Sequence, residues 1–548
     1  MSRKSPFYSS KKDSRCGLIK GQMHYSGNMN SIFRYVILLV ITILMAACAS
    51  LPRDIPRVPS YAVEIRDETK IGKTLALKAE KHPGESGFYI LPSDIDAFIA
   101  RAVLIEAAER TLDLQYYIVN DNLTVSVLME RLIRAADRGV RVRLLFDDLG
   151  TGLKDSQLWL LNSHPNIEIR LFNPVPDRRK GFPRLFALVS NFRQLNHRMH
   201  NKAFVVDNTI GIVGGRNLAD EYFGAREDAN FADMDIMAAG PIVKDISKSF
   251  DIYWNSEWAI PFEFFESRQP ADEDFKEAFE ILKEKNRAAR DSKYAVRLRE
   301  SDFLNRLVAG NISSSWAKGF VVYDLPEKIS NDDHKNSAVY LGTQLFSLAR
   351  NTKSEVILIS PYFVPGKTGI EFYGKLREGG IRVRIATNSL ASTDVVSVHS
   401  GYARYRKSLL EKGVEIYEMK PEAGEKEKEG RRKFIGSSRG SLHAKVYIFD
   451  RKAVFVGSRN LDPRSSQVNT EIGIFVESPE VAEQASKFFE AGALPQYSFK
   501  VTLSDNSGLV WKTEEEGKEV EYTHDPMTSI WRRLSVKFMS IFVPESLL

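Results

Sequence analysis

The chain has 548 residues, 43% apolar and 27% charged, which excludes a disordered polymer and leaves ample material for two hydrophobic cores. Two cysteines, Cys16 and Cys48, exclude a disulfide-rich scaffold. The formal net charge of +6 suits an anionic lipid surface and nucleic acid equally, so charge alone selects neither.

In chain order, residues 1–47 read as a leader. Val36 to Ala47 is a twelve-residue run, apolar except for Thr42, short for a bilayer span and right for a signal-peptide core. It ends in Leu44-Met-Ala-Ala-Cys48, which resembles a bacterial lipobox and implies lipidation of Cys48; Ala49 after it favours sorting to the outer membrane over the inner. An uncleaved anchor helix from about Ile32 is the alternative, and Met23 or Met29 is an alternative start. Both readings place the protein on a membrane of the bacterial cell envelope. Residues 48–84 form a linker.

Two halves follow, over 85–300 and 301–500, and each repeats one order. A strand ends in aromatics (Tyr116-Tyr117; Tyr362-Phe363), then come a helix, a basic strand (Val140-Arg-Val-Arg; Ile381-Arg-Val-Arg), another strand and a hairpin. Strands alternating with helical patterns predict α/β layers. The segment from Pro261 to Asn311, rich in Glu, Lys, Arg and Ala, reads as helices joining the halves. An apolar and basic insertion, Asp177 to Leu188, reads as a lid, and the charged run Glu422 to Arg439 as a mobile loop. The extension over 501–548 closes in a helix: Ile530, Trp531, Leu534, Phe538, Ile541 and Phe542 repeat at helical spacing with Arg532, Arg533 and Lys537 interleaved, the pattern of a basic amphipathic helix lying in an interface. Docking on the core is its rival reading.

The hairpins carry a doubled signature. His200-Asn-Lys202, Asp207 and Gly214-Gly215-Arg-Asn217 are matched by His443-Ala-Lys445, Asp450 and Gly457-Ser458-Arg-Asn460, and His, Lys, Asp and Asn all share the offset of 243. Each His-x-Lys opens an apolar, β-branched strand, an Asp-led turn follows, and a return strand carries each Asn back toward its own His. Two copies argue for one composite site.

Residue type then suggests the chemistry. Imidazole attacks phosphorus or shuttles a proton near neutral pH, while Lys202, Lys445, Asn217 and Asn460 donate to the oxygens of a phosphodiester gathering charge. One histidine would be the nucleophile and the other the acid and base; no metal or cofactor is called for. Asp207 and Asp450 join the catalytic set, with an Asx turn as the equally weighted alternative. Asp233, 33 residues past His200, and Glu471, 28 past His443, are the carboxylates placed to orient the imidazoles, Asp235 being a near rival to Asp233.

The doubled motif resembles the phospholipase D superfamily. Asp113-Leu-Gln-Tyr-Tyr-Ile118, Gly139-Val-Arg-Val-Arg-Leu-Leu, His197-Arg-Met-His-Asn-Lys202, Gly214-Gly-Arg-Asn-Leu, Val398-His-Ser-Gly-Tyr-Ala-Arg404 and Asp462-Pro-Arg-Ser465 look like the bacterial cardiolipin synthases of the C type. The resemblance implies an α/β fold of two pseudo-symmetric αβα halves around one composite active site. It also implies phosphatidyl transfer through a phosphatidyl-histidine, with His200 the favoured nucleophile and His443 the acid and base. Phosphatidylglycerol and phosphatidylethanolamine are the implied substrates, and a small macrodomain-type protein is an implied partner. Tyr116, Tyr117, Tyr362, His399 and Tyr402 are candidates for the lipid head-group pocket. A hydrolytic phospholipase D yielding phosphatidic acid, a nuclease and a non-enzymatic lipid-binding lipoprotein compete; the apolar insertion and Trp-bearing tail count against nucleic acid, and two intact motifs against the last.

Overall fold

The computed structural model describes residues 55–64, 68–176, 182–226, 230–265, 272–330, 340–421 and 440–545. The leader with Cys48, the run from Glu422 to Arg439 and the first residues of the insertion lie outside them.

The first half holds β1 (Ser86–Leu91), β2 (Thr111–Tyr116), β3 (Arg141–Asp147), β4 (Ile167–Phe172), β5 (Ala203–Val206), β6 (Ile210–Gly214), β7 (Asn230–Ala232), β8 (Asp235–Ala239) and β9 (Ala259–Pro261). The second holds β10 (Ser315–Tyr323), β11 (Glu355–Ile359), β12 (Arg382–Asn388), β13 (Glu415–Met419), β14 (Gly440–Leu442), β15 (Val446–Phe449), β16 (Ala453–Gly457) and β17 (Ile472–Glu477). The extension adds β18 (Ser498–Leu503), β19 (Leu509–Glu515) and β20 (Lys518–Tyr522).

Pairing runs β4-β3-β2-β5-β6-β8-β1 in the first half and β13-β12-β11-β15-β16-β17-β10 in the second, the same order twice. In each, β2-β3-β4 or β11-β12-β13 are parallel, as strands joined by crossover helices must be, and the motif hairpin is antiparallel to them. β1 pairs with β10, fusing the two sheets into one. The extension's strands continue from β13.

Both motif hairpins turn through two residues of positive φ, Asp207-Asn208 (50° and 47°) and Asp450-Arg451 (53° and 52°), the turn whose twist matches that of the flanking strands. Alternation along β5 and β15 then sorts side chains. Ala203, Val205, Val446 and Ile448 meet in a core shared by both halves. Phe204 and Val206 face a core covered by the helices Asp94–Ala107 and Leu123–Asp137, and Tyr447 and Phe449 face the second half's own core. The shared core holds the two motif hairpins back to back, which brings their histidines into one site.

Helices Asp272–Arg290, Lys293–Arg299 and Asp302–Val308 occupy the segment between the halves. Among the described residues no helix is long and apolar enough to cross a membrane.

Candidate active site

Backbone pairing between the halves fixes each histidine first. His200 N–H donates to Thr470 O at 2.9 Å, and Thr470 N–H returns a bond to Arg198 O at 3.0 Å. On the other side β7 and β14 run parallel, and His443 N–H donates to Ala232 O at 2.8 Å. Thr470 and Ala232 immediately precede Glu471 and Asp233, so each carboxylate is delivered to the histidine of the opposite half. His200 Nδ1 lies 2.8 Å from Glu471 Oε2, and His443 Nδ1 lies 2.7 Å from Asp233 Oδ2. Counting along the chain groups Glu471 with His443 and Asp233 with His200; the structure crosses these pairs. The carboxylate that takes an imidazole is Asp233 and not Asp235, which is held by Arg101 at 2.9 Å and Arg216 at 3.4 Å.

Both imidazoles are nearly buried, His200 with 7% and His443 with 6% of its surface exposed. Burial lowers the pKa of His200 to about 4 against the opposing pull of Glu471, and lowers that of His443 as well. Burial pushes Asp233 up, but the attraction and hydrogen bond of protonated His443, with Lys445 and Arg216, outweigh it and hold that carboxyl down to about 2, so it is ionised. Each Nδ1–H therefore points at a carboxylate and leaves Nε2 for chemistry. Lys445 Nζ also lies 3.0 Å from His443 Nδ1, but an ammonium has no lone pair to accept that proton; it donates to the main-chain oxygen of His443 instead. Lys202 Nζ likewise donates to His200 O, at 2.6 Å. Desolvation pulls both lysines down, Lys445 to about 8 and Lys202 well below its ordinary value. The charge of each lysine acts on both histidines, so the four groups form one cluster.

The shells around the two carboxylates differ. Where the first half has Gly215, a Cβ would come 2.1 Å from Asp233 Oδ1; the second half has Ser458, whose hydroxyl donates to Glu471 Oε2. Ser465 Oγ donates to Glu471 Oε1 at 2.7 Å. Sequence reasoning missed these serines, and also Tyr222 and Phe231, whose rings each stand 5.1 Å from that of His443 although the first half carries them. The Gly-to-Ser difference between the motif copies was the available signal for Ser458.

Asn217 donates from Nδ2 to Tyr222 Oη at 2.9 Å and accepts from Ile118 N–H at 3.1 Å. Through Tyr222 it is linked to His443, not to the histidine of its own half. Asn460 N–H donates to Ser465 Oγ at 3.2 Å, on the Glu471 side, while its own Oδ1 is buried without a hydrogen bond.

The sequence places Asp207 and Asp450 in the catalytic set, and the structure removes them. Asp207 caps the start of β2, accepting from the N–H groups of Glu109, Arg110 and Thr111 at 2.8–3.0 Å. Asp450 does the same for Lys353, Ser354 and Glu355 at 2.6–3.0 Å. Both sit just past the far end of a four-residue strand from their lysines, five residues on and about 17 Å away at the rise of an extended chain.

The head-group candidates also separate. Tyr117 is in the site, its ring 5.1 Å from that of His200 and 5.4 Å from Lys202 Nζ. Tyr362 is at its rim, donating from Oη to Asp394 at 2.7 Å. Tyr116 points to the opposite face of its strand, where its hydroxyl is 3.0 Å from Arg101 Nε in the buried network of Asp235. His399 and Tyr402 are buried away from the clamp. Tyr402 donates to Glu418 at 2.9 Å, and His399 shares with Asp525 the guanidinium of Arg406, tying the C-terminal extension to the second half.

Two crossed imidazole–carboxylate pairs beside two buried ammonium groups, on two halves of one topology, define a phospholipase D-like protein. A family model described as "Cardiolipin synthase, PLD-like domain" matches residues 102–254 and 345–492, and the chain belongs to that family. It is 39% identical to cardiolipin synthase C of Escherichia coli K12 over 85% of this chain and 97% of that protein. It is 32% identical to an uncharacterized protein of Helicobacter pylori 26695 over 87% of this chain and 92% of that one. The fold is shared with the phosphatidylserine synthase of Haemophilus influenzae Rd KW20, at a TM-score of 0.55 and 14% identity, covering 87% of this chain and all of that one.

Proposed function

We propose that the protein is a phosphatidyltransferase that makes cardiolipin from a phosphatidyl donor and phosphatidylglycerol through a phosphatidyl-histidine. The observation that carries this reading is the crossed pairing of His200 with Glu471 and His443 with Asp233. His200 Nε2 attacks phosphorus while its Nδ1 proton remains on the Glu471 side, which stabilises the imidazolium formed. The bond from phosphorus to the donor's head-group oxygen breaks, and His443, in the protonated form that ionised Asp233 stabilises, gives that oxygen its Nε2 proton and is left neutral. The same nitrogen then takes the proton of the acceptor's hydroxyl as its oxygen attacks phosphorus and the P–N bond breaks. Lys202 and Lys445 hold the non-bridging oxygens, where charge gathers in both steps. The family resemblance favours His200 as the nucleophile, and its low pKa keeps it neutral and nucleophilic at pH 7.

Membrane contact is part of the proposal. The helix Ile530–Phe542 buries only Val536, while Trp531 is 77% and Phe538 is 63% exposed, with Ile541 and Phe542 beside them. Arg404 of the second half bonds Val543 O at 2.6 Å and Arg532 bonds Thr393 O at 3.1 Å, so the helix is held to the body by its polar edge. An apolar face of this size left to solvent fits an interfacial helix. The insertion helix Phe182–Ser190 adds exposed Leu185 and Val189 a few residues before His200. Lipidation of Cys48, the outer membrane as location and a macrodomain-type partner rest on the sequence resemblance.

The test is the product. In vesicles of phosphatidylglycerol and a labelled donor lipid, the protein should form diphosphatidylglycerol and release the donor's head group. Phosphatidic acid as the main product would make it a hydrolase with the same clamp.

A further inference from the structure

Where the joining helices pack on the first half they leave a cleft of about 460 Å³, with Asn286, Tyr294 and Leu298 on one side and Phe98, Val127 and Arg131 of the helices Asp94–Ala107 and Leu123–Asp137 on the other. That volume is within the range of about 300–1,000 Å³ usual for small-molecule sites. No residue of the clamp lines it. A larger cleft of about 720 Å³ adjoins it across a wall of Val103, Glu106 and Val308. The Glu106 carboxylate, held by Arg131 at 3.4 Å and Arg138 at 3.6 Å, puts charge in that wall, so the smaller cleft offers an apolar floor to one chain only.

The wall of the smaller cleft holds polar groups that the fold leaves unsatisfied. Asn286 is only 4% exposed, yet neither its Nδ2 nor its Oδ1 has a hydrogen-bond partner. The hydroxyl of Tyr294, whose ring stands edge-on to Phe98 at 5.7 Å, has none either. A buried amide unpaired on both sides is destabilising and rare, and in a cavity wall it marks a place for the polar groups of a ligand. Around the mouth, four arginines (131, 134, 290 and 299) stand against two glutamates, Glu106 and Glu130. Arg134 and Arg290 share Glu130, the latter at 3.6 Å, so positive charge is in surplus. Burial lowers the pKa of Arg131 in spite of Glu106, and Arg134 beside it lowers it further; an added anion would stabilise this guanidinium.

We propose that this cleft binds a single-chain anionic lipid, a glycerophosphate with one acyl chain and a free hydroxyl, at a site separate from the catalytic clamp. The assignment does not depend on the phosphatidyl-transfer reading. The chain lies on Phe98, Val127, Leu298 and Leu304, and the phosphate sits at the arginine mouth beside Arg131. The head group supplies both partners that Asn286 lacks: its hydroxyl donates to Oδ1 and a phosphate oxygen accepts from Nδ2. A fatty acid, ionised at neutral pH, has no donor for Oδ1, and a diacyl lipid brings a second chain for which the cleft has no floor.

The test is photolabelling of the full chain in phosphatidylcholine nanodiscs with a lysophosphatidylglycerol that carries a diazirine at the end of its acyl chain, followed by proteolysis and peptide mapping. Label is expected on the peptides that contain Phe98 and Leu298. At equal probe concentration it should fall there roughly tenfold in Asn286→Leu and in Arg131→Gln, as expected for loss of a hydrogen-bond partner to a charged head group. Asn286→Leu removes only an unpaired amide, so without the lipid it should melt no lower than wild type; if it does melt lower, Arg131→Gln at the partly exposed mouth decides. Unlabelled lysophosphatidylglycerol should protect these peptides at concentrations roughly tenfold lower than dodecanoate or diacyl phosphatidylglycerol. Label confined to the clamp peptides, cleft label that Arg131→Gln or a stable Asn286→Leu leaves unchanged, or equal protection by dodecanoate or the diacyl lipid each overturns the proposal.

Discussion

His200 Nδ1 and Glu471 Oε2 are 2.8 Å apart although 271 positions separate the two residues and they belong to different halves. Neither half is therefore a complete half-site: each supplies a histidine that only the other can orient. The mirror relationship of His443 with Asp233 makes the dependence mutual.

Glu471→Gln should lower kcat by a factor of about 100 to 10,000 without unfolding the protein, because the amide removes the negative charge that fixes the His200 tautomer and stabilises its imidazolium. The double variant Glu471→Gln, His200→Ala should be no slower than His200→Ala alone, since the carboxylate acts through that ring. Further loss in the double variant would mean that Glu471 has a separate role, and steady-state turnover of a short-chain phosphodiester reads the difference.

The pH profile follows from burial. The neutral His200 ring is the active form, and with a pKa lowered to about 4 it is lost only as pH falls toward that value. The Lys445 ammonium is the active form, and with a pKa lowered to about 8 it is lost as pH rises through that value. Activity measured as kcat/KM on a soluble short-chain donor should hold well below pH 6.5, decline as pH rises through the lowered pKa of His443, whose protonated form is the acid of the first step, and fall further by about pH 8 as Lys445 loses its charge. A profile flat to pH 10 would contradict this placement of Lys445.

Asp207→Ala should act on stability. It strands the N–H groups of Glu109, Arg110 and Thr111 at a largely buried strand start, a loss of about 1–3 kcal/mol for an unsatisfied group and more if none is rehydrated. Thermal denaturation should report a lower Tm, while kcat per folded molecule stays within about threefold. A collapse of kcat at unchanged Tm would return Asp207 to the catalytic set.

Much of this was legible in the sequence for a physical reason. The period of the strands, the Asp-led turns and the two His-x-Lys copies are local, and local pattern dictates the hairpins that carry His200, Lys202, His443 and Lys445. What failed needed contacts between distant segments. Counting from each histidine finds Glu471 and Asp233 but cannot tell which ring each serves, because the pairs of Thr470 with His200 and Ala232 with His443 form only when the halves meet. The adjacent tyrosines 116 and 117 look equivalent in sequence; the pleat sends one to Arg101 and the other to His200. His399 and Tyr402 sit in a motif of the family resemblance, yet their partners Asp525 and Glu418 give that motif a structural role in docking the extension.

Membrane binding should depend on the C-terminal helix. Trp531→Ser with Phe538→Ser removes two large exposed apolar side chains and should weaken binding to anionic vesicles at least about tenfold, given roughly 1.5–3 kcal/mol for burying such a side chain. Turnover of a soluble phosphodiester should survive. Loss of both together would show the helix to be part of the folded core. Separately, Cys48→Ala should abolish incorporation of labelled fatty acid; no labelling of the wild type would favour the anchor helix instead.

The central claim is a two-step transfer through one histidine of a composite site. Rapid alkaline quenching of the wild-type protein with a donor lipid labelled in its phosphatidyl group, followed by proteolysis and peptide mass mapping, tests it most directly. The account predicts one phosphatidyl group on the peptide that contains His200, absent in His200→Ala. Label on His443 would reverse the assigned roles, and product formed with no adduct on either histidine would contradict the mechanism.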